Sequence, residues 1–175
     1  MNTIKSDPLL AIAKGIIYFM MGVMAVGGIA VAIAAPALLV FYQKAMSQIA
    51  EAGAPPATYW LIIVLLVVVA GLIYLGFRFF RHMLHIAQSV GEGDPFVPAN
   101  ADRLNAMAWI MLTITLASIP VTALGAYITK LAGEDTAQID VGFDGGGIVL
   151  ILTLFVLARV FRKGTEMRAD LEGTV

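Results

Sequence analysis

Two histidines, His82 and His85, stand three residues apart inside the stretch FRFFRHMLHIAQSVGEGDPFVPANADR. On a helix that spacing puts both imidazoles on one face, an arrangement that can serve a metal ion. The chain has no cysteine and no third histidine, so Glu92 or Asp94 would have to complete the ligand set. Arg78 and Arg81 lie beside the pair, and their charge opposes a cation. We expect two histidines among arginines, and no metal. The same stretch holds Gly91-Glu92-Gly93, which suggests a phosphate loop. A dinucleotide fingerprint needs a third glycine where Phe96 stands, a strand before it and a helix after it. The expectation is a helix stop followed by a turn. Glu134, Asp135, Asp140 and Asp144 are acidic enough for calcium, but their spacing is not that of an EF-hand loop. They suit a solvated acidic loop. Ser118 has no histidine within reach to act as its base. The sequence therefore argues for no catalysis and no cofactor.

These residues sit on an unusual framework. Of 175 residues, 60% are hydrophobic and 13% charged, against roughly 45–50% and about 25% in soluble domains. Four blocks carry no charge: Gly15–Gln43, Ala52–Phe77, Leu104–Thr129 and Gly145–Ala158. The first three exceed the ~20 residues that cross a bilayer. The fourth is short, but it borrows Val160 and Phe161 if Arg159 extends its stem to the interface. Ala32-Ile33-Ala34 resembles a signal cleavage site, yet its apolar run far exceeds the ~7–15 residues of a signal core. We take it as a retained helix. The fold class expected is an all-α membrane protein with four transmembrane helices in a bundle, one domain over 1–175, with spans at about 15–42, 59–80, 104–128 and 145–161. No Asp, Glu, Lys, Arg or His lies in the first three of these blocks, and the span built on the fourth has only Arg159 near its end. Pumps and proton-coupled transporters need such groups at mid-membrane.

Within span 1, Gly28, Ala32 and Pro36 recur every four residues and offer a close-packing face. Asp7 can cap a helix opening at Pro8. The linker Gln43–Thr58 is expected as a loop containing the breaker Gly53-Ala54-Pro55-Pro56. The helix of span 2 should run on past the membrane through Arg78, Arg81 and His85 until Gly91 and Gly93 stop it. Asn100 is the expected N-cap of the third helix. The tail, 162–175, places Val160, Gly164, Met167 and Leu171 on one helical face. It offers Arg162/Glu166 and Arg168/Glu172 as i,i+4 pairs. A short amphipathic helix on the membrane or on a partner is expected there.

Orientation follows from the eleven Lys and Arg residues. Lys5, Lys14, Arg78, Arg81, Arg103, Arg159, Arg162, Lys163 and Arg168 fall on the side of the N-terminus. Only Lys44 and Lys130 fall opposite. By the positive-inside rule both termini and the 78–103 loop face the cytoplasm, in a multi-pass protein of the bacterial inner membrane. Arg78, Arg81, Arg159, Arg162 and Lys163 then gather at the inner face. They suit anionic headgroups or an acidic protein surface.

At Gly93-Asp94-Pro95-Phe96, followed by Asn100, Arg103 and Leu104, and again from Phe161 through Glu166-Met167-Arg168-Ala169-Asp170 to Val175, the chain resembles a known family. It is similar to the small four-helix bacterial membrane proteins catalogued as domain of unknown function 2975. The resemblance covers most of the chain and implies no catalytic residues. Members are often encoded beside a small helix-turn-helix regulator of the Cro/repressor type, which implies a DNA-binding protein as partner. The expectation is a non-enzymatic regulatory protein contacting membrane lipid and a cytosolic regulator, with no direct nucleic-acid contact. Its contact residues would be Arg78, Arg81, Asp94, Phe96, Arg162, Glu166, Arg168, Asp170 and Glu172. The alternatives are an accessory subunit of a membrane complex, or permeation through the chain or a homo-oligomer. Permeation would use Thr113, Thr115, Ser118 and Thr122.

Overall fold

Long apolar runs leave the backbone no solvent to bond with in lipid, so each run must satisfy its own N–H and C=O groups as a helix. The computed structural model describes residues 8–133 and 145–172, without the side chain of Glu172, and the elements these residues form are all helices. The order is α1 (Pro8–Val40), α2 (Tyr42–Glu51), α3 (Thr58–Gly91), α4 (Pro98–Leu131) and α5 (Gly145–Glu172). All but α2 are long and apolar enough to cross a membrane. This is a multi-pass, all-α membrane protein. The cap expected at Asp7, the acidic set Glu134, Asp135, Asp140 and Asp144, and the Glu172 side chain lie outside the described residues.

Two expectations need correction. The linker after span 1 is not all loop, because Tyr42–Glu51 forms α2. Its residues are mostly good helix formers, with Ala45, Met46 and Ile49 half-buried on one face and Lys44, Ser47 and Gln48 outward. The breaker sets its end: Gly53 has φ +71°, and Gly53 N–H and Ala54 N–H bond back to Ala50 O and Ile49 O. That is a Schellman close, which needs the left-handed conformation glycine adopts freely. Second, α4 begins at Pro98, so Asn100 lies in its first turn and is not the cap. Proline is well placed there, since the first helical N–H has no partner in any case.

Contacts group the chain into two compact units. Among the described residues one holds 8–24, 75–113 and 145–172; the other holds 25–74 and 114–133. In the first, Leu104, Met107 and Ala108 of α4 pack with Leu154 and Ala158 of α5. Phe79, Met83 and Ile86 of α3 close over this core at helical spacing, together with Phe155 and Phe161. Small residues bring further elements in. A Cβ on Gly76 would meet Met24 Sδ at 3.2 Å, and one on Gly91 would meet Leu10 and Lys14 at 3.0 Å. Gly91 thus packs within α3 against α1, and the helix stop belongs to Gly93.

In the second unit, Gly27 and Gly28 face Ile73 of α3, as the small-residue face of span 1 led us to expect. Tyr59 is its most buried large side chain, at 2% exposure. Its hydroxyl donates to Leu38 O at 3.1 Å, where α1 is ending, and its ring meets Tyr42 edge-on at 5.0 Å. Terminal helix carbonyls lack an intrahelical donor, and this hydroxyl supplies one. Tyr59→Phe should therefore lower unfolding free energy in detergent by about 1 kcal/mol. An unchanged denaturation midpoint would show that the bond contributes nothing.

Candidate functional site

The polar segment after α3 is built from its buried amide outward. Asn100 is fully buried. Its Nδ2 donates to Ser89 Oγ at 2.6 Å on α3 and to Pro95 O at 2.9 Å in the loop. Its Oδ1 accepts from Arg103 at 2.8 Å. Ser89 in turn donates to Ile86 O. One side chain thus joins the end of α3, the connecting loop and the first turn of α4.

The loop geometry agrees with that anchor. Gly93 has φ +85°, and the N–H groups of Gly93 and Asp94 bond to Val90 O and Ser89 O. This Schellman close turns the chain sharply and presents Asp94-Pro95-Phe96 to α5. Phe96 lies against Gly164, where an added Cβ would come within 2.9 Å of its ring, and its centroid is 5.2 Å from that of Phe161. Only glycine leaves room for that ring. Two cross-element ion pairs flank it: Arg168 to Asp94, and Arg162 to Asp102 at 3.3 Å. All four of these side chains are substantially exposed, so each pair contributes about 0–1 kcal/mol. The apolar fit holds the loop, and the charges set its register.

Of the contact residues expected from sequence, the structure brings Asp94 to Arg168, and it sets Phe96 against Gly164 and Phe161. Arg162 bonds Asp102 of α4, while Glu166 bonds Lys163 at 3.0 Å. The expected Arg162/Glu166 pair is replaced. The tail is not a separate short helix, since α5 runs unbroken from Gly145 to Glu172. Arg78 and Arg81 stand exposed on α3, and Asp170 on α5. Asn100, Ser89, Asp102, Phe161 and Gly164 were not foreseen as parts of this site. A glycine inside an otherwise helical pattern was the available signal for Gly164.

A family model for proteins of unknown function (DUF2975) matches residues 45–175. The chain belongs to this family. No curated protein and no solved structure matches it. In this DUF2975 chain the matched region takes in α3, α4 and α5 together with the clasped loop.

His82 and His85 occupy the part of α3 beyond its apolar stretch. Burial pushes His82 below the ordinary value of 6.5, helped by Arg78, His85, Arg103 and Arg81. Burial also lowers His85, helped by Arg103 and Arg81. His82 Nε2 is buried without a hydrogen-bond partner among the described residues. Among those residues no group of three or more His, Cys, Asp or Glu is placed to hold a metal. The hydroxyls of Thr113, Ser118 and Thr122 donate to carbonyls of their own helix.

Two expected outcomes follow for the DUF2975 chain. Gly164→Val should destabilise by about 1–3 kcal/mol through overpacking and speed proteolysis between Gly91 and Pro98. Combined with Phe96→Ala its cost should shrink, and strict additivity would mean the two positions do not touch. The histidines set a pH dependence. Their folded values lie below the unfolded one, so the unfolded chain takes up more protons as pH falls below 6.5. Stability should be level above that and decline as the pH falls below it. Melting curves in detergent check it, and His82→Gln with His85→Gln should flatten the decline.

Proposed function

We propose that this chain is a non-enzymatic regulatory protein that holds a cytosolic partner, a helix-turn-helix transcription regulator, at the inner face of the bacterial cytoplasmic membrane. The distribution of Lys and Arg supports that sidedness: nine of eleven fall with the termini and the 78–103 loop, as cytoplasmic segments require.

One observation carries the reading. On the α5 extension, Val160, Met167 and Leu171 are 54%, 58% and 71% exposed, and Phe96 is 43% exposed. Phe96 lies on Gly164, the remaining position of that helical face. The loop therefore fills the gap and makes one apolar strip running from Val160 to Leu171. Charged residues flank it, with Lys163, Glu166, Arg168 and Asp170 on the same extension. An apolar strip rimmed by both signs of charge, running from the end of the apolar block onto a polar part of the chain, suits an amphipathic helix of another protein. The packing of Phe96 on Gly164 and Phe161 holds the strip in shape before binding, which lowers the ordering cost of association.

The test is affinity purification of the tagged full-length chain from its host in mild detergent, followed by mass spectrometry. A stoichiometric DNA-binding protein should be retained. Met167→Asp with Leu171→Asp should release it to the soluble fraction while membrane insertion persists. Equal retention by that variant would overturn the assignment. Substitution is preferable to truncation at Arg162, because truncation also removes Gly164 and unclasps the loop.

A further inference from the structure

A groove of about 490 Å³ opens between α4 and α5, lined by Asn105, Ala158, Arg159, Arg162, Lys163 and Glu166. Its floor is the small buried Ala158. Three cations and one acid face it, but they are not equally available. Arg162 is held by Asp102 and Lys163 by Glu166. Arg159 has no ion-pair partner among the described residues, so the groove keeps the charge of one uncompensated cation.

The position of that cation matters. Arg159 directly follows the charge-free block Gly145–Ala158, where apolar helix gives way to polar helix. An unpaired charge at the edge of hydrocarbon is costly and seeks a counter-ion at the interface. Leu152, Arg159 and Glu166 recur every seven residues and share one face of α5, with Phe155 and Val156 next to them. Leu152 and Val156 are 59% and 62% exposed. On α4, Asn105 lies one turn from Trp109, whose ring meets Phe155 edge-on at 5.7 Å. The groove therefore has a cationic and amide-lined mouth, with an aromatic pair and bare aliphatic side chains one to two turns deeper, about 6–11 Å along the helix.

We propose that this groove seats one anionic phospholipid. Arg159 and Lys163 face its phosphodiester, Asn105 bonds a phosphate or glycerol oxygen, and an acyl chain lies along Leu152, Phe155 and Val156. The chemistry recognised is a phosphate monoanion, which matches the single uncompensated charge. A lipid is the source because the apolar track continues directly from the mouth. This site does not depend on a protein partner.

The test titrates the delipidated full-length chain in detergent with phosphatidylglycerol or phosphatidylcholine of identical acyl chains, reading bound lipid by native mass spectrometry. The expected preference for phosphatidylglycerol is about fivefold, the effect of one charge near a membrane surface. Arg159→Gln should abolish the preference and Arg159→Lys should keep it, which separates lost charge from lost fold. Lys44→Gln, an exposed cation on α2 outside the groove, should leave it intact. Equal binding of the two lipids by the wild-type chain would overturn the proposal, as would an equal loss in Lys44→Gln. Full displacement by excess soluble glycerol phosphate would overturn the lipid as source.

Discussion

A single buried amide organises the polar part of this protein. Asn100 has no exposed surface and bonds to α3, to the loop and to Arg103 on its own helix. A buried amide left unpaired costs about 1–3 kcal/mol, so these bonds must form together or the segment cannot close. Everything beyond follows from that closure. The Schellman turn at Gly93 fixes where Asp94 and Phe96 emerge, and their direction brings Phe96 onto Gly164 of an element some 70 residues later. The contact is long-range in sequence, but its cause is local.

Magnitudes separate what holds this region from what decorates it. The cross-element ion pairs are exposed and individually weak. The packing of Phe79, Met83 and Ile86 over Leu104, Met107, Leu154 and Ala158 buries apolar surface at about 25 cal/mol per Å². That core lies directly beneath the loop's contact with Phe161. Screening by salt should therefore loosen the register of the loop more readily than its attachment.

The membrane class was legible because it rests on length and charge alone: four charge-free blocks became the four long helices. The small-residue face at Gly28 was legible for a similar reason, since its meaning depends on side-chain size. α2 was missed because its linker was judged by its charges and its Gly-Pro breaker, although Ala45, Met46 and Ile49 repeat at helical spacing. Asn100 was assigned to a cap because residue type favours that role, while Pro98 had the stronger claim on the helix start. The clasp itself was invisible. Arg162/Glu166 and Arg168/Glu172 satisfy the i,i+4 rule, and nothing local indicates that Asp94 and Asp102 compete for the same guanidinium groups.

The α5 extension carries two surfaces, and helical geometry keeps them apart. At about 100° per residue, Val160, Gly164, Met167 and Leu171 cluster in one direction. Leu152, Arg159, Lys163 and Glu166 cluster roughly a quarter-turn away. The loop covers the first face at Gly164 through Phe96, and α4 borders the second through Asp102 and Asn105. A headgroup at Arg159 leaves the apolar strip bare, and a helix on the strip leaves Arg159 open. The two share only the short arc between Lys163 and Met167. Any coupling between membrane composition and a bound protein would have to pass through that arc, or through a shift of α5 that strains the fit of Phe96 on Gly164.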